Sequence, residues 1–173
     1  MAIDSFLDFS KSGITPMKGE SQDKQFTETF HVKTFTFAVN QKGTAATGTG
    51  LGAGKAEFDD FEFTIDTQKG SSELLKHCAI GTHFKTVILH VRKAGGKSME
   101  FLRYVFGSCI ISSFSTSGDE ESTDTVKFNY RQVATKYIPQ KDTGAPDNPG
   151  PIGGYDLKAN MEWDSEGNLG DMK

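Results

Sequence analysis

Apolar and polar residues alternate along most of the chain, which is typical of β-strands that place one face against a core. In residues 61–66 the apolar Phe61, Phe63 and Ile65 fall on one face, and three polar residues fall on the other. In the long segment 124–138 the apolar side chains keep one parity as far as Tyr130 and then change to the other. These segments predict long, half-buried strands.

The alternation changes parity at two further places, near Lys33 and at the pair Asp59 and Asp60. An extra residue in a strand moves every following side chain to the opposite face of the sheet. We therefore predict a β-bulge at each of these places.

Two local patterns interrupt or connect the strands. The sequence AGGK at residues 94–97 separates two long strand patterns, and its paired glycines favour the positive φ of a tight hairpin turn. Residues 71–81, SSELLKHCAIG, predict the single helix: Ser71 or Ser72 can cap its N-terminus, and Gly81 can end it.

The strand and helix patterns together predict the fold class and the domains. Five to eight strands with one short helix indicate a mainly β protein, a small antiparallel β-barrel of two packed sheets with the helix on its side. A chain of 173 residues is long enough for one domain, which we place at residues 1–163. The Pro- and Gly-rich segment after Tyr137 predicts an arm, and residues 164–173 predict a flexible tail.

Composition narrows the classes of partner. The formal net charge is −4 with both signs interspersed, so no basic stripe is present for a nucleic acid. No apolar run is long enough to insert into a membrane, and the N-terminus lacks the features of a signal peptide, so we expect synthesis and folding in the cytoplasm. Cys78 and Cys109 are too few for a disulfide framework, and we predict two buried thiols.

The sequence GTGLGAGK at residues 48–55 resembles a phosphate-binding loop but fails its requirements. A Walker A loop needs glycine at position 49 and a hydroxyl residue at position 56, where this chain has Thr49 and Ala56. The looser dinucleotide pattern also fails, because a strand and not a helix follows it. We predict no cofactor site, and we interpret the glycines as a contact surface on which backbone can approach a neighbour closely.

Catalytic and metal-binding patterns are also missing from the sequence. The histidines lack the paired spacing of a zinc site, and no serine or cysteine lies in a nucleophile motif, so we predict neither a metal site nor an enzyme. We interpret His31 and His90 as partly exposed strand residues. The acidic stretch GDEESTD at 118–124 lacks the spacing of a calcium loop and is interpreted as a solvated connection, with an acidic partner-binding patch as the alternative.

Several sequence blocks, taken in order, resemble the haemolysin-coregulated protein (Hcp) family of bacterial type VI secretion systems. The blocks are KGESQDK, GAGKAEF, ELLKHCAIGTHF, VILHVRKAGG, ISSFSTSG and YIPQK. The resemblance covers residues 1 to about 163. Two departures are the stretch SKSGITPMKGES, which is longer than expected, and the loop GDEESTD, which is more acidic.

The resemblance implies a structural protein without catalytic activity. It implies homohexameric rings that stack into a hollow tube, which a contractile sheath ejects with a spike at its tip and effector cargo in its lumen, without a signal peptide. By the same resemblance, Gly48, Gly50, Gly52, Gly54 and Lys55 of the Gly-rich loop would contact the next ring. Thr36 and Lys33, in the segment HVKTFTFAV, would face the lumen. Pro139 and Gln140 of the arm would contact a neighbouring subunit.

Three other classes of protein stay open at this stage. They are a monomeric β-sandwich that binds a ligand, a tail tube protein of a phage-like particle, and an enzyme or nucleotide-binding domain, for which the motifs are poor. A ligand-binding sandwich would need aromatic side chains exposed in a cleft. The single tryptophan, Trp163, gives it little support.

Overall fold

The computed structural model describes residues 2–43, 53–95, 98–165 and 168–169 of the chain. These residues form eleven strands and one helix. In chain order the elements are β1 (Ile3–Asp8), β2 (Phe30–Val32), β3 (Thr34–Thr36), β4 (Val39–Gly43), β5 (Ala53–Phe58), β6 (Phe61–Asp66), α1 (Ser71–Ile80), β7 (His83–Lys93), β8 (Glu100–Gly118), β9 (Ser122–Tyr137), β10 (Gly153–Asp156) and β11 (Met161–Glu162).

Nine strands form one antiparallel sheet in the order β2-β1-β7-β8-β9-β10-β11, with β6 paired to β9 and β3 paired to β6. Strand β9 is central, since β8 pairs with one of its edges and β6 and β10 share the other. Strands β2 and β3 lie at two ends of the sheet but follow one another in the chain, so the sheet must curl. Between them, the Lys33 backbone N–H donates to the Thr64 carbonyl at 2.8 Å. The mainly β class with one helix is confirmed, with a barrel whose hydrogen-bonded ladder is not closed between β2 and β3.

The two predicted bulges are changes of pairing partner instead. At Lys33 the chain leaves β1, the partner of β2, and joins β6, the partner of β3. At Asp59 and Asp60 it leaves the two-stranded sheet of β4 and β5 and enters the main sheet as β6. Each strand therefore has its own inward face, and the bulge prediction was wrong at both places.

Aromatic side chains fill the centre of the barrel. The fully buried Phe106 ring lies 4.7 Å from Phe61, 5.0 Å from Phe128 and 5.1 Å from Tyr130, measured between ring centroids. The alternation predicted for β6 and for the first half of β9 is confirmed, because all the apolar side chains it assigned to the inner face are buried. Beyond Tyr130, the predicted change of parity brings Val133 into the core.

The helix lies where the sequence predicts it, but its N-terminus is built differently. Gly81, at φ 67°, ends the helix in a left-handed conformation, as expected. The N-cap is Gly70, with no side-chain cap. Ser71 instead donates its hydroxyl hydrogen bond to the buried carboxylate of Asp124. The serine-cap prediction was therefore wrong, and so was the interpretation of the whole 118–124 stretch as solvated.

The two cysteines differ in burial. Cys109 is buried in the core, and its burial raises the pKa of the thiol. Cys78 on α1 is only half-buried and packs against the edge of the core. The prediction of a buried thiol therefore holds for Cys109 and is wrong for Cys78.

The C-terminal residues that the structure describes are packed against the sheet. Leu169 is fully buried against Ile88, Val105 and Ala134 on the outer side of the barrel. The Leu169 carbonyl also accepts a hydrogen bond from the Lys136 ammonium at 2.9 Å. At this residue the structure differs from the predicted flexible tail, because the outward face of β7, β8 and β9 carries an apolar row that needs a cover.

Candidate functional site

A broad polar face covers the outside of four neighbouring strands, β3, β6, β9 and β8. Antiparallel pairing aligns its side chains in two rows, because directly opposed residues point to the same side of a sheet. We call this surface the polar face, and its rows are Thr34–Thr64–Thr125–Ser115 and Thr36–Glu62–Lys127–Ser113. All eight side chains are exposed or half-buried. The polar face therefore presents hydroxyl groups and charges.

The charges on and beside the polar face are paired. Lys127 lies 2.9 Å from the Glu62 carboxylate, and hydrogen bonding to that carboxylate raises the pKa of Lys127. At the rim, Lys33 lies 2.7 Å from Asp66 and 3.4 Å from Glu121, and the hydrogen bond to Asp66 is the main cause that raises its pKa. Of the two residues predicted to face the lumen, Thr36 lies on the polar face and Lys33 lies at its edge, just before β3.

Strands β4 and β5 form a two-stranded ribbon that is separate from the main sheet, and the Gly-rich stretch of the sequence runs from the end of β4 into β5. Every residue of β4 is exposed. Gly54 and Lys55 lie in strand β5 and not in a loop, and a Cβ on Gly54 would lie 2.7 Å from the Lys42 carbonyl oxygen. The close approach that this glycine permits is therefore made within the ribbon. Gly48, Gly50 and Gly52 lie outside the described residues.

The predicted arm folds back onto its own chain. The Pro139 carbonyl accepts from the Asp147 N–H at 2.9 Å. The Gln140 side chain accepts from Lys93 at 2.5 Å and donates to the Gly144 carbonyl at 2.8 Å. Strand β10 then covers the second half of the β9 edge. In a single protomer, the arm thus covers an edge of its own sheet.

A buried ionic cluster, which sequence reasoning missed, joins β7 to β8 on the outer side of the barrel. The Glu100 carboxylate lies 2.8 Å from His90 Nδ1 and accepts from Arg103 at 2.7 and 2.6 Å. Asp8 of β1 lies 3.9 Å from His90 Nε2. His90, Glu100 and Arg103 are all buried, so the interpretation of His90 as a partly exposed strand residue was wrong. We call these four residues the ionic cluster.

The partners in the ionic cluster keep its members charged. Burial lowers the pKa of His90, but the carboxylates of Asp8 and Glu100 more than offset this and leave it raised. Burial likewise raises the pKa of Glu100, but its contacts with His90 and Arg103 outweigh that effect and leave it lowered. The cluster is therefore a set of opposite charges held out of water.

We expect the stabilisation by His90 to fall as pH rises. A pKa raised by folding gives stability that is complete below the unfolded-state pKa, about 6.5 for histidine, and is lost as pH rises through the folded-state value. Urea unfolding of the wild type and His90→Asn should give free energies that converge between about pH 6 and pH 9, by about 1.4 kcal/mol for each unit of the pKa shift. His83→Asn, at an exposed position, is the control. If the difference in the free energy of unfolding between the wild type and His90→Asn does not change with pH, the prediction is wrong.

The described residues contain no group of three His, Cys, Asp or Glu side chains placed to hold a metal ion. None of their helices is long and apolar enough to cross a membrane. The polar face, the ribbon and the arm are the exposed surfaces considered below for contact with other molecules.

Comparison with known proteins identifies relatives over almost the whole chain. The profile of the family described as "Type VI secretion system effector, Hcp" matches residues 6–137. Protein hcp1 of Pseudomonas aeruginosa is 35% identical over 167 residues, covering 94% of this chain and 99% of that protein. One similar solved structure is that of a type six secretion system protein, with a TM-score of 0.85 and 26% identity over 94% of this chain and 100% of the other. Hcp1 from Salmonella typhimurium has a TM-score of 0.74 and 30% identity over 94% and 100% of the two chains.

Proposed function

The chain belongs to the Hcp family of type VI secretion proteins, and from this premise we propose how its surfaces serve a tube. It is a structural subunit of the type VI secretion tube, forming hexameric rings that stack. A ring of six closes when each subunit meets its neighbours through two different patches, and the two unlike faces of a ring allow open-ended stacking.

We propose that the polar face lines the lumen of the tube. The observation that carries this proposal is the composition of the face: hydroxyl side chains on all four strands, and one pair of opposite charges, Lys127 and Glu62. Such a wall stays hydrated and offers a passing protein neither an apolar patch nor an excess of one charge. This suits a channel that must hold effector cargo and then release it.

The mass of the purified protein in solution tests the function directly. Light scattering on a sizing column should give about six times the protomer mass at high protein concentration, as a closed cyclic ring requires. Electron microscopy of the same fraction should show a central pore. A monomer at every concentration would contradict a ring-forming tube subunit and would favour a monomeric binding module.

We expect a cysteine on the polar face to be shielded in the assembled tube. In a Cys78→Ser background, Thr36→Cys should react with a maleimide on a large polymer at least about tenfold more slowly in tubes than in dispersed protein, because the polymer must enter the lumen. The remaining thiol, Cys109, is buried and unreactive at neutral pH. A cysteine at Leu75, an exposed position on α1, is the comparison. Equal reaction rates of Thr36→Cys in both states would place the polar face on the outside.

We propose that the ribbon and the Gly-rich segment between its two strands contact the next ring. The ribbon extends beyond the main sheet with exposed polar side chains, including the Lys42–Glu57 pair at 3.2 Å. Lys55→Glu should shorten the tubes seen by electron microscopy without changing the melting temperature of the dispersed protein, because Lys55 is exposed in the protomer. Lys76→Glu on α1 is the matched control, and tubes of normal length from Lys55→Glu would contradict this role.

We base the remaining proposals on the role of the protein as a tube subunit. Pro139 and Gln140 would carry the arm against a neighbouring subunit, and residues 1–163 would form the tube domain. The sheath, the spike and effector cargo would be the protein partners. We also propose that the protein acts without catalysis, assembles in the cytoplasm and leaves the cell through the type VI system.

A further inference from the structure

The connection between β1 and β2 folds back over the outer side of the barrel. Hydrogen bonds join the two ends of residues 19–29, the shortest of them from the Gly19 N–H to the Glu28 carbonyl at 2.8 Å. The Phe26 side chain is only 8% exposed, although its two neighbours in the chain are exposed. We call residues 19–29 the strap, because Phe26 fastens this segment to the sheet.

The Phe26 ring packs on side chains of two neighbouring strands. Its centroid lies 4.9 Å from that of Phe6 on β1, with the ring planes 20° apart, and 4.7 Å from that of His90 on β7. Phe6 and His90 are directly opposed in the β1–β7 ladder. The next residues towards the ends of these strands, Leu7 and Leu89, lie in the core, so Phe6 and His90 point outward. The strap therefore covers one face of the His90 imidazole.

Arg92 makes a second connection between the strap and the sheet. Its guanidinium lies 4.9 Å from the centroid of Phe6 and 5.6 Å from that of Phe26. It also donates to the Asp23 carboxylate of the strap and lies 3.4 Å from Asp4 of β1. Arginine does not lose its proton in proteins, and the hydrogen bond from Arg92 lowers the pKa of Asp23. This connection therefore stays the same between neutral and mildly alkaline pH.

The imidazole under Phe26 is the group whose charge changes in that range. Charged or titratable side chains surround it from β1, β2, β7, β8 and the strap, and they are Asp4, Asp8, His31, Arg92, Glu100, Arg103 and Asp23. A cation against the face of an aromatic ring is attracted to it, and this attraction is lost when the cation becomes neutral. The stack of Phe26 on His90 is therefore stronger while His90 carries its proton.

From these contacts we infer that the strap is a pH-sensitive cover, which stays closed while His90 is protonated and opens more often once His90 has given its proton to solvent. By linkage, the closed strap binds this proton more tightly than the open strap does. The closed form is thus most favoured below the open-state pKa and loses this advantage as pH rises through the closed-state value. Opening would expose Phe6, Phe26 and the ionic cluster, while the barrel core on the other side of the sheet stays packed.

Amide hydrogen exchange of dispersed protein measures the opening. The N–H groups of Gly19, Ser21 and Glu28 donate within the strap and report on it, and those of β9 report on global unfolding. Exchange rates from NMR, including solvent-magnetisation transfer for the fastest amides, are converted to protection factors with the intrinsic rate at each pH. Between about pH 6 and about pH 9, strap protection should fall about threefold to tenfold. It should also lie below that of β9 throughout, because the strap opens without global unfolding.

Three variants separate the His90 contact from the Arg92 contact. Phe26→Leu keeps an apolar cover and every charge but removes the ring, so strap protection should become nearly independent of pH. Arg92→Gln should lower strap protection at all pH values and keep the fall. His31→Asn, on the neighbouring strand β2, is the control and should keep the wild-type fall.

Three results would overturn the inference. Strap protection that is the same at both ends of the pH range would remove the pH response. Equal protection of the strap and β9 would mean that the strap opens only when the whole protein unfolds. A fall that persists unchanged in Phe26→Leu would mean that the stack of Phe26 on His90 does not carry it. Exchange is measured in dispersed protein, so none of these results depends on whether the protein forms rings.

Discussion

Glu100→Ala should lower the free energy of unfolding by about 3–5 kcal/mol, because the substitution leaves buried cations without their counter-charge. Glu100 is almost fully buried, and both of its carboxylate oxygens are used, by His90 and by Arg103. Removing one partner of a buried charge network costs far more than the network contributes in net stability. Urea unfolding of dispersed protein at neutral pH measures the loss.

Two controls separate this effect from simple loss of side-chain volume. Glu57→Ala removes an exposed carboxylate from the ribbon and should change stability by less than about 0.5 kcal/mol. A triple variant, His90→Leu with Glu100→Leu and Arg103→Met, removes the three buried charges, keeps only the half-buried Asp8, and should lose less stability than Glu100→Ala alone. If the triple variant were the less stable of the two, packing and not uncompensated charge would be the cause.

Phe106→Ala should be similarly damaging, with an expected loss of about 3–5 kcal/mol. Phe106 is fully buried, and its ring is surrounded by Phe61, Phe128 and Tyr130 within 5.1 Å between centroids. Rings from two different strands, β6 and β9, cannot all move inward to fill the space, so most of the cavity should persist. The melting temperature should fall by about 6–20 °C for a chain of this size.

The comparison for Phe106 is an apolar side chain outside the core. Leu75 on α1 is 54% exposed, and Leu75→Ala should change the free energy of unfolding by less than about 0.5 kcal/mol. Phe106→Leu should lose less than Phe106→Ala, because it leaves a smaller cavity. A loss of less than about 1 kcal/mol for Phe106→Ala would mean that the aromatic cluster collapses into the space and is not the rigid centre of the barrel.

Local pattern was sufficient to predict the inward faces of individual strands, the pairing of β7 with β8 and the helix, but it predicted five to eight strands where the described residues form eleven. Period-2 alternation fixes the inward face of β6 and of the first half of β9, because each depends only on neighbouring residues. The antiparallel pairing of β7 with β8 is confirmed, whereas Gly96 and Lys97 of the predicted tight turn lie outside the described residues. The helix needs only its own residues and Gly81 to begin and end near the predicted positions.

Features that depend on distant partners were beyond the reach of the local pattern. A parity change looks the same in the sequence whether it comes from a bulge or from a new pairing partner, as at Asp59 and Asp60. His90 reads as an ordinary strand residue until the hairpin register places it beside Glu100. Leu169 lies in a polar, Gly-containing segment, and only the folded sheet supplies the apolar row that buries it.

Part of the candidate site could be read from the sequence. Thr36 and Lys33 were predicted to face the lumen from alternation and family resemblance; Thr36 lies on the polar face, and Lys33 lies just before β3 at the edge of that face. The extent of the polar face was not predictable, because β3 pairs with β6, and β6 with β9, through residues far apart in the chain. Whether this face lines a lumen stays a prediction for the labelling experiment.

The pairing of β6 with β9 also bears on how the chain is made. Strands β7, β8 and β9 follow one another, so they can form a meander as soon as they emerge, whereas β1 and β6 must find partners much later in the chain. At about 5–20 residues per second, the 71 residues from 67 to 137 take roughly 4–14 s to be synthesised. For that time the edge of β6 that pairs with β9 has no partner, although β3 can already cover its other edge. The subunit can therefore complete its sheet only after nearly the whole barrel sequence has left the ribosome.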